Sequence, residues 1–146
     1  MGRYLSSLII FLVGIIILIF TCGGLPSFYL DFGSFMIIGL FPFVFLGILF
    51  GYKKMFLSFS VPLKKEPEKD KLIKSLTFFK IYGKTLFVLG FIVTLIEIIA
   101  MLIALEDRSG LGSNLAFIFN TLLYCGIINM VIVIPYIIII KKHLEE

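Results

Sequence analysis

The stretch Leu86–Leu105, LFVLGFIVTLIEIIAMLIAL, holds one charged residue in 20 and is as long as a helix that crosses the hydrocarbon core of a bilayer. Its many β-branched residues would favour strands in water. Inside lipid, however, every backbone polar group must pair within its own segment or around a closed barrel. Barrel strands alternate apolar and polar residues, whereas this run is apolar all round, so a helix is expected.

Three further runs of this kind flank it, over about 5–22, 35–52 and 115–140. Of the chain's 146 residues, 60% are hydrophobic and 15% charged, and the mean hydropathy is +1.15. Soluble domains carry about a quarter charged residues. There is too little polar side chain here to cover a globule in water, which excludes a soluble enzyme, and too much apolar surface for a disordered chain. The expected fold is all-α: a single polytopic membrane domain with four transmembrane helices and a linker over about 53–84. A cleaved leader is the alternative reading of the first run, which follows Arg3. A small-x-small cleavage site is missing, and Phe20 and Thr21 fit a lipoprotein site before Cys22 poorly, so the run is expected to be retained as helix one.

Charge sets the expected orientation. Nine of the 13 basic residues are lysines between Lys53 and Lys84, and Arg3, Lys141 and Lys142 add three at the chain ends. Only Arg108, beside Glu106 and Asp107, falls on the other side. The positive-inside rule then puts both termini and the lysine-rich interval in the cytoplasm, and the net charge of +4 is a topology signal. Within that interval Val61–Lys71 is mixed in charge and broken by Pro62 and Pro67, as in a solvated linker. Leu72, Ile73, Leu76 and Phe79 follow at helical spacing and predict an amphipathic lead-in to helix three at the lipid interface.

Signatures of chemistry are missing. Cys22 and Cys125 lack metal-ligand spacing, His143 sits alone in a charged tail, and no glycine-rich phosphate loop occurs. No catalytic residue, cofactor or metal is expected, and the chain is not read as an enzyme.

Glu97 breaks the apolar rule of helix three. A charged carboxylate at mid-membrane costs roughly 2.5–3.5 kcal/mol on insertion scales, so it must face protein or water, or be protonated. Gly90, Thr94, Met101 and Ala104 share its stripe, which makes a small and polar face. Helix four carries Asn120, Thr121, Tyr124, Cys125, Gly126 and Asn129 in an otherwise apolar field. These residues leave two readings open: interhelical hydrogen bonding that holds a bundle together, or a proton or ion path between helices three and four.

The second half resembles the MotA/ExbB/TolQ family of proton-channel subunits, and the MotA branch most closely. That branch reads G-K-Y-A-P-A-F-G-M-I-G-T-L-I-G across its third helix, and Gly83-Lys84-Thr85-Leu86-Phe87-Val88-Leu89-Gly90-Phe91-Ile92-Val93-Thr94-Leu95-Ile96-Glu97 runs in the same register. Further on, Leu105-Glu106-Asp107-Arg108-Ser109-Gly110-Leu111-Gly112 and Thr121-Leu122-Leu123-Tyr124-Cys125 look like the family's L-D-D-P-S-S-L-G and L-L-T-T-L-Y-G, and Pro135 matches a proline near the inner end of helix four. Tyr29-Leu30-Asp31-Phe32-Gly33-Ser34 resembles F-I-D-x-P-S between helices one and two.

The resemblance implies a homopentamer around two single-span partners of the MotB, ExbD or TolR type, in a bacterial inner membrane. Helices three and four would line the assembly interior, and ion flow would drive mechanical work. Taken with the polar faces of helices three and four, this places the expected ion pathway at Thr94 and Glu97, with Thr121 and Tyr124 supporting across the seam, and Gly90, Asn129 and Pro135 in packing or gating. This chain departs from the pattern at Leu122, where the family has its helix-four pore threonine. It also departs at Glu97 and Val93, which replace glycines, and at Phe87, which replaces a proline. The large rotor-engaging domain between helices two and three is replaced by the short lysine-rich interval. A non-conducting four-helix scaffold of a membrane complex is the alternative expectation.

Overall fold

The computed structural model describes residues 2–23, 29–64, 66–103 and 111–145, with backbone alone for residues 2–5. The Arg3 side chain, Ala104 and the Glu106-Asp107-Arg108 run lie outside the described residues. Those described form helices and turns, with no strand among them.

Helix α1 (Gly2–Thr21) is stopped at Gly23, whose φ of 71° is open to glycine, with the Cys22 and Gly23 N–H groups donating back to Leu18 and Phe20 carbonyls. Helix α2 (Phe32–Phe50) starts on an acidic cap: the Asp31 carboxylate accepts from the N–H of Gly33 at 3.0 Å and of Ser34 at 3.3 Å. It ends at Gly51, again in a positive-φ conformation (81°), which turns the chain into the short helix α3 (Tyr52–Ser60). A 3₁₀ turn over Val61–Leu63, with Pro62 in its first positions, leads toward α4 (Lys69–Ile103). At 1.5 Å per residue this 35-residue helix is about 52 Å long, well beyond the ~30 Å hydrocarbon core.

Helix α5 (Leu111–Ile128), a π-helical turn (Asn129–Val133) and α6 (Ile134–Glu145) make one continuous rod. Proline explains the π turn. Pro135 has no N–H to donate and its ring crowds the carbonyl four residues back, so the chain widens just before it, and the Ile134 N–H reaches Asn129, five residues back.

Three helices are long and apolar enough to cross a membrane: α2, α4 and the α5–α6 rod. A shorter apolar helical run, Ser6–Thr21, lies within α1. Helix α4 is the centre of the bundle and packs against α2, α3, α5 and α6, while among the described residues α1 makes at most marginal contact with the rest. Apolar side chains cover the outside, among them Phe87, Phe91 and Ile103 on α4 and Ile10, Leu18 and Phe20 on α1. The architecture is all-helical and compatible with a protein embedded in a membrane.

The interval 53–84 holds most of α3 and the first half of α4, the latter where the spacing of Leu72, Ile73, Leu76 and Phe79 predicts a helical lead-in. What local sequence does not show is a cluster of rings. Phe59 of α3 meets Phe79 of α4 at 5.0 Å and Tyr136 of α6 at 5.6 Å, and Phe79 stacks on Tyr136 at 4.5 Å. The amphipathic lead-in therefore turns inward. Leu72 and Phe79 are fully buried within the bundle, and only Ile73 of the four is more than half exposed. At the start of α4, Lys71 donates to Glu68 at 2.7 Å and holds its carboxyl below the usual range. Both side chains are exposed, so the pair adds little to stability.

Candidate functional site

Two glycines on α4 let the α5–α6 rod approach closely. A Cβ at Gly90 would lie 2.3 Å from the Cys125 sulfur, and one at Gly83 would lie 2.9 Å from Asn129 Oδ1. Cys125 is fully buried and its thiol donates to the Leu86 carbonyl at 3.3 Å, while the Asn129 amide donates to the Cys125 carbonyl at 3.0 Å. Gly90 and Asn129 thus lie along one seam between α4 and the rod, and Pro135 is buried at the start of α6.

Seven residues beyond Gly90 on α4, Glu97 meets α5. Thr121 Oγ1 lies 3.0 Å and 3.3 Å from the two Glu97 carboxylate oxygens. It also lies 3.1 Å from Ser34 Oγ of α2, and Ser34 Oγ in turn donates to the Asp31 carboxylate. The result is a continuous polar chain, Glu97–Thr121–Ser34–Asp31, that joins α4, α5 and the capped start of α2. Thr121 is fully buried and Ser34 is 4% exposed.

Donor arithmetic gives this chain its chemical character. Thr121 has one hydroxyl hydrogen but two neighbours within bonding distance, the Glu97 carboxylate and Ser34 Oγ. It can donate to one of them at a time, and turning the hydroxyl about its C–O bond re-aims the donor. Two carboxyl groups joined through two re-orientable hydroxyls can pass a proton stepwise.

At one end Glu97 lines an open pocket of about 300 Å³ with Asn114, Phe117 and Met101, which gives its carboxylate a route to the surface. On the other side Tyr124, one turn after Thr121, fixes the chain that enters α2. Its hydroxyl accepts from the Asp31 N–H at 2.7 Å and donates to the Tyr29 carbonyl at 2.5 Å, and its ring meets Phe35 edge-on at 5.8 Å. Thr94, one turn before Glu97, is 5% exposed, and its hydroxyl has no hydrogen-bond partner among the described residues.

Of the four residues expected on an ion path, the structure joins Glu97 and Thr121 directly. Tyr124 braces the polar chain from its far end, and Thr94 sits beside it without a bond. Sequence reasoning missed Ser34 and Asp31 as members of the site. A signal was present: an Asp before Gly33 and Ser34 at the head of an apolar run reads as an N-cap, and a cap residue is held in a defined place. Compared with known proteins, the chain matches no family model, no curated protein and no solved structure.

Proposed function

We propose that this chain is a subunit of a MotA/ExbB/TolQ-like ion channel complex of a bacterial inner membrane, converting ion-motive force into mechanical work. In this reading α1, α2, α4 and the α5–α6 rod cross the bilayer, with both termini and the lysine-rich α3–α4 turn on the cytoplasmic side. Five copies surround two single-span partners of the MotB, ExbD or TolR kind, with α4 and α5 toward the interior. The observation that carries the proposal is the Glu97–Thr121–Ser34–Asp31 chain, set among apolar helices and open to a pocket at Glu97. The matched register of α4 and α5 supports it further.

The chemistry assigns each group a task. Glu97 exchanges a proton with the pocket, Thr121 relays between Glu97 and Ser34 by turning its hydroxyl, and Asp31, at the outer start of α2, is the carboxylate at the other end of the relay. Tyr124 and the Gly90–Cys125 contact keep the oxygens within bonding distance. A carboxylate within an apolar span is otherwise costly, which is the reason to read it as functional.

The test is proton uptake by vesicles that hold the chain together with its co-purified single-span partner, under an imposed membrane potential. Glu97→Gln is expected to lower uptake to that of empty vesicles. Uptake equal to the parent would make Glu97 a packing residue. The scaffold reading has one observation in its favour: Thr121 and Tyr124 are buried and bonded within a single copy, as adhesive groups would be. A scaffold would show no potential-driven uptake in the parent either.

A further inference from the structure

A second cavity, of about 260 Å³, lies at the lysine-rich end of the bundle between α3 and the first turns of α4. Phe50, Leu57 and Phe78 line it together with Lys54, Lys71 and Lys74. Its level is fixed by one contact. Phe50 is the last residue of α2, and its ring meets Phe78 of α4 edge-on at 5.7 Å, so α4 at Phe78 stands level with the end of an apolar span. Lys74 and Lys71 lie about one and two turns further out on α4, and Lys54 enters from α3, where phospholipid headgroups begin.

The charges there are not balanced by the protein. Lys71 pairs with Glu68, whereas Lys54 and Lys74 meet no carboxylate among the described residues. An apolar slot at the depth of the acyl chains, rimmed by ammonium groups at the depth of the headgroups, matches one kind of molecule in shape and in charge. Free phosphate would use the rim and leave the slot empty, and a zwitterionic lipid would bring its own cation against the lysines.

We propose that this cavity is a binding site for one anionic phospholipid, with an acyl chain against Phe50, Leu57 and Phe78 and the phosphodiester between Lys54 and Lys74. The site is separate from the Glu97 chain and holds whether or not the protein conducts. A bound lipid would wedge the α3–α4 turn at a fixed angle to the bilayer.

Native mass spectrometry of the full chain released from bilayers of equal phosphatidylglycerol and phosphatidylcholine tests it. The parent is expected to retain phosphatidylglycerol in preference, at one per protomer. Each lysine near an anionic headgroup contributes about fivefold in affinity, so Lys54→Gln/Lys74→Gln should weaken retention roughly 25-fold. Lys141→Gln/Lys142→Gln, which removes the same charge elsewhere, should leave it unchanged. Equal retention of the two lipids, equal loss in both double variants, or glycerol phosphate alone binding as tightly as the lipid would overturn the proposal. Circular dichroism of each variant separates a lost site from a lost fold.

Discussion

Thr121 is where a single atom decides most. Its hydroxyl is the middle link between Glu97 and Ser34, and the side chain has no exposure through which water could take over. Thr121→Val keeps the shape and removes the link, leaving the buried Ser34 Oγ without its donor and a methyl against the Glu97 carboxylate. Stranding a buried polar group costs about 1–3 kcal/mol, and a valine in the same space returns little of it. Thermal unfolding in detergent should show that loss for Thr121→Val and much less of it for Thr121→Ser, which keeps the hydroxyl. Equal melting of parent and valine variant would mean that the oxygens are not bonded as described. Glu97 itself was legible in sequence, because one carboxylate in an apolar run stands out. Thr121, its direct partner, could be named from its polar place in helix four, but the far members of the chain could not: Ser34 and Asp31 lie more than 60 residues away from Glu97, and nothing local says that α2 begins against α5.

At the scale of elements, what could be read from the chain and what could not divide along the membrane boundary. The long apolar runs of α2, α4 and the α5–α6 rod announce themselves, since few other structures tolerate such runs. Helix α3 does not, because the lysines and the two prolines that follow it resemble a linker; the first half of α4 shows its helical spacing, but not that it turns inward, which rests on Phe59, Phe79 and Tyr136 meeting from three elements. The seam between α4 and α5 shows the same dependence on a partner. Gly90→Ala improves helix propensity by about 1 kcal/mol, but its methyl would sit 2.3 Å from a sulfur that is already bonded to Leu86, and overpacking costs about 1–3 kcal/mol. The net effect expected is a loss of stability that Cys125→Ala relieves in the double variant. A double-mutant cycle on denaturation midpoints measures this coupling; strict additivity would show that α4 and α5 do not touch at Gly90.

At the scale of the whole molecule, lysines gather around the α3–α4 turn and in the last turn of α6, and two unequal cysteines are placed where they can report on which side these lie. Cys22 is exposed just past the end of α1, and Cys125 is fully buried against α4. If both termini and the α3–α4 turn lie inside, Cys22 lies outside, and it is the one native thiol that a reagent can reach without unfolding the protein. A membrane-impermeant maleimide added to intact spheroplasts should therefore label the parent chain at Cys22, and Cys22→Ala should abolish that labelling. His143→Cys in the Cys22→Ala background puts the only reachable thiol in the last turn of α6, beside Lys141 and Lys142. That variant should label only after the membrane is opened. The parity of the crossings is tested by the same pair of results, because an even number of spans between the N-terminus and residue 143 keeps both on one side, and Cys22 falls after the first. Labelling of His143→Cys from outside would break the four-span arrangement, and protection of Cys22 in intact cells would mean that α1 lies along the membrane instead of through it.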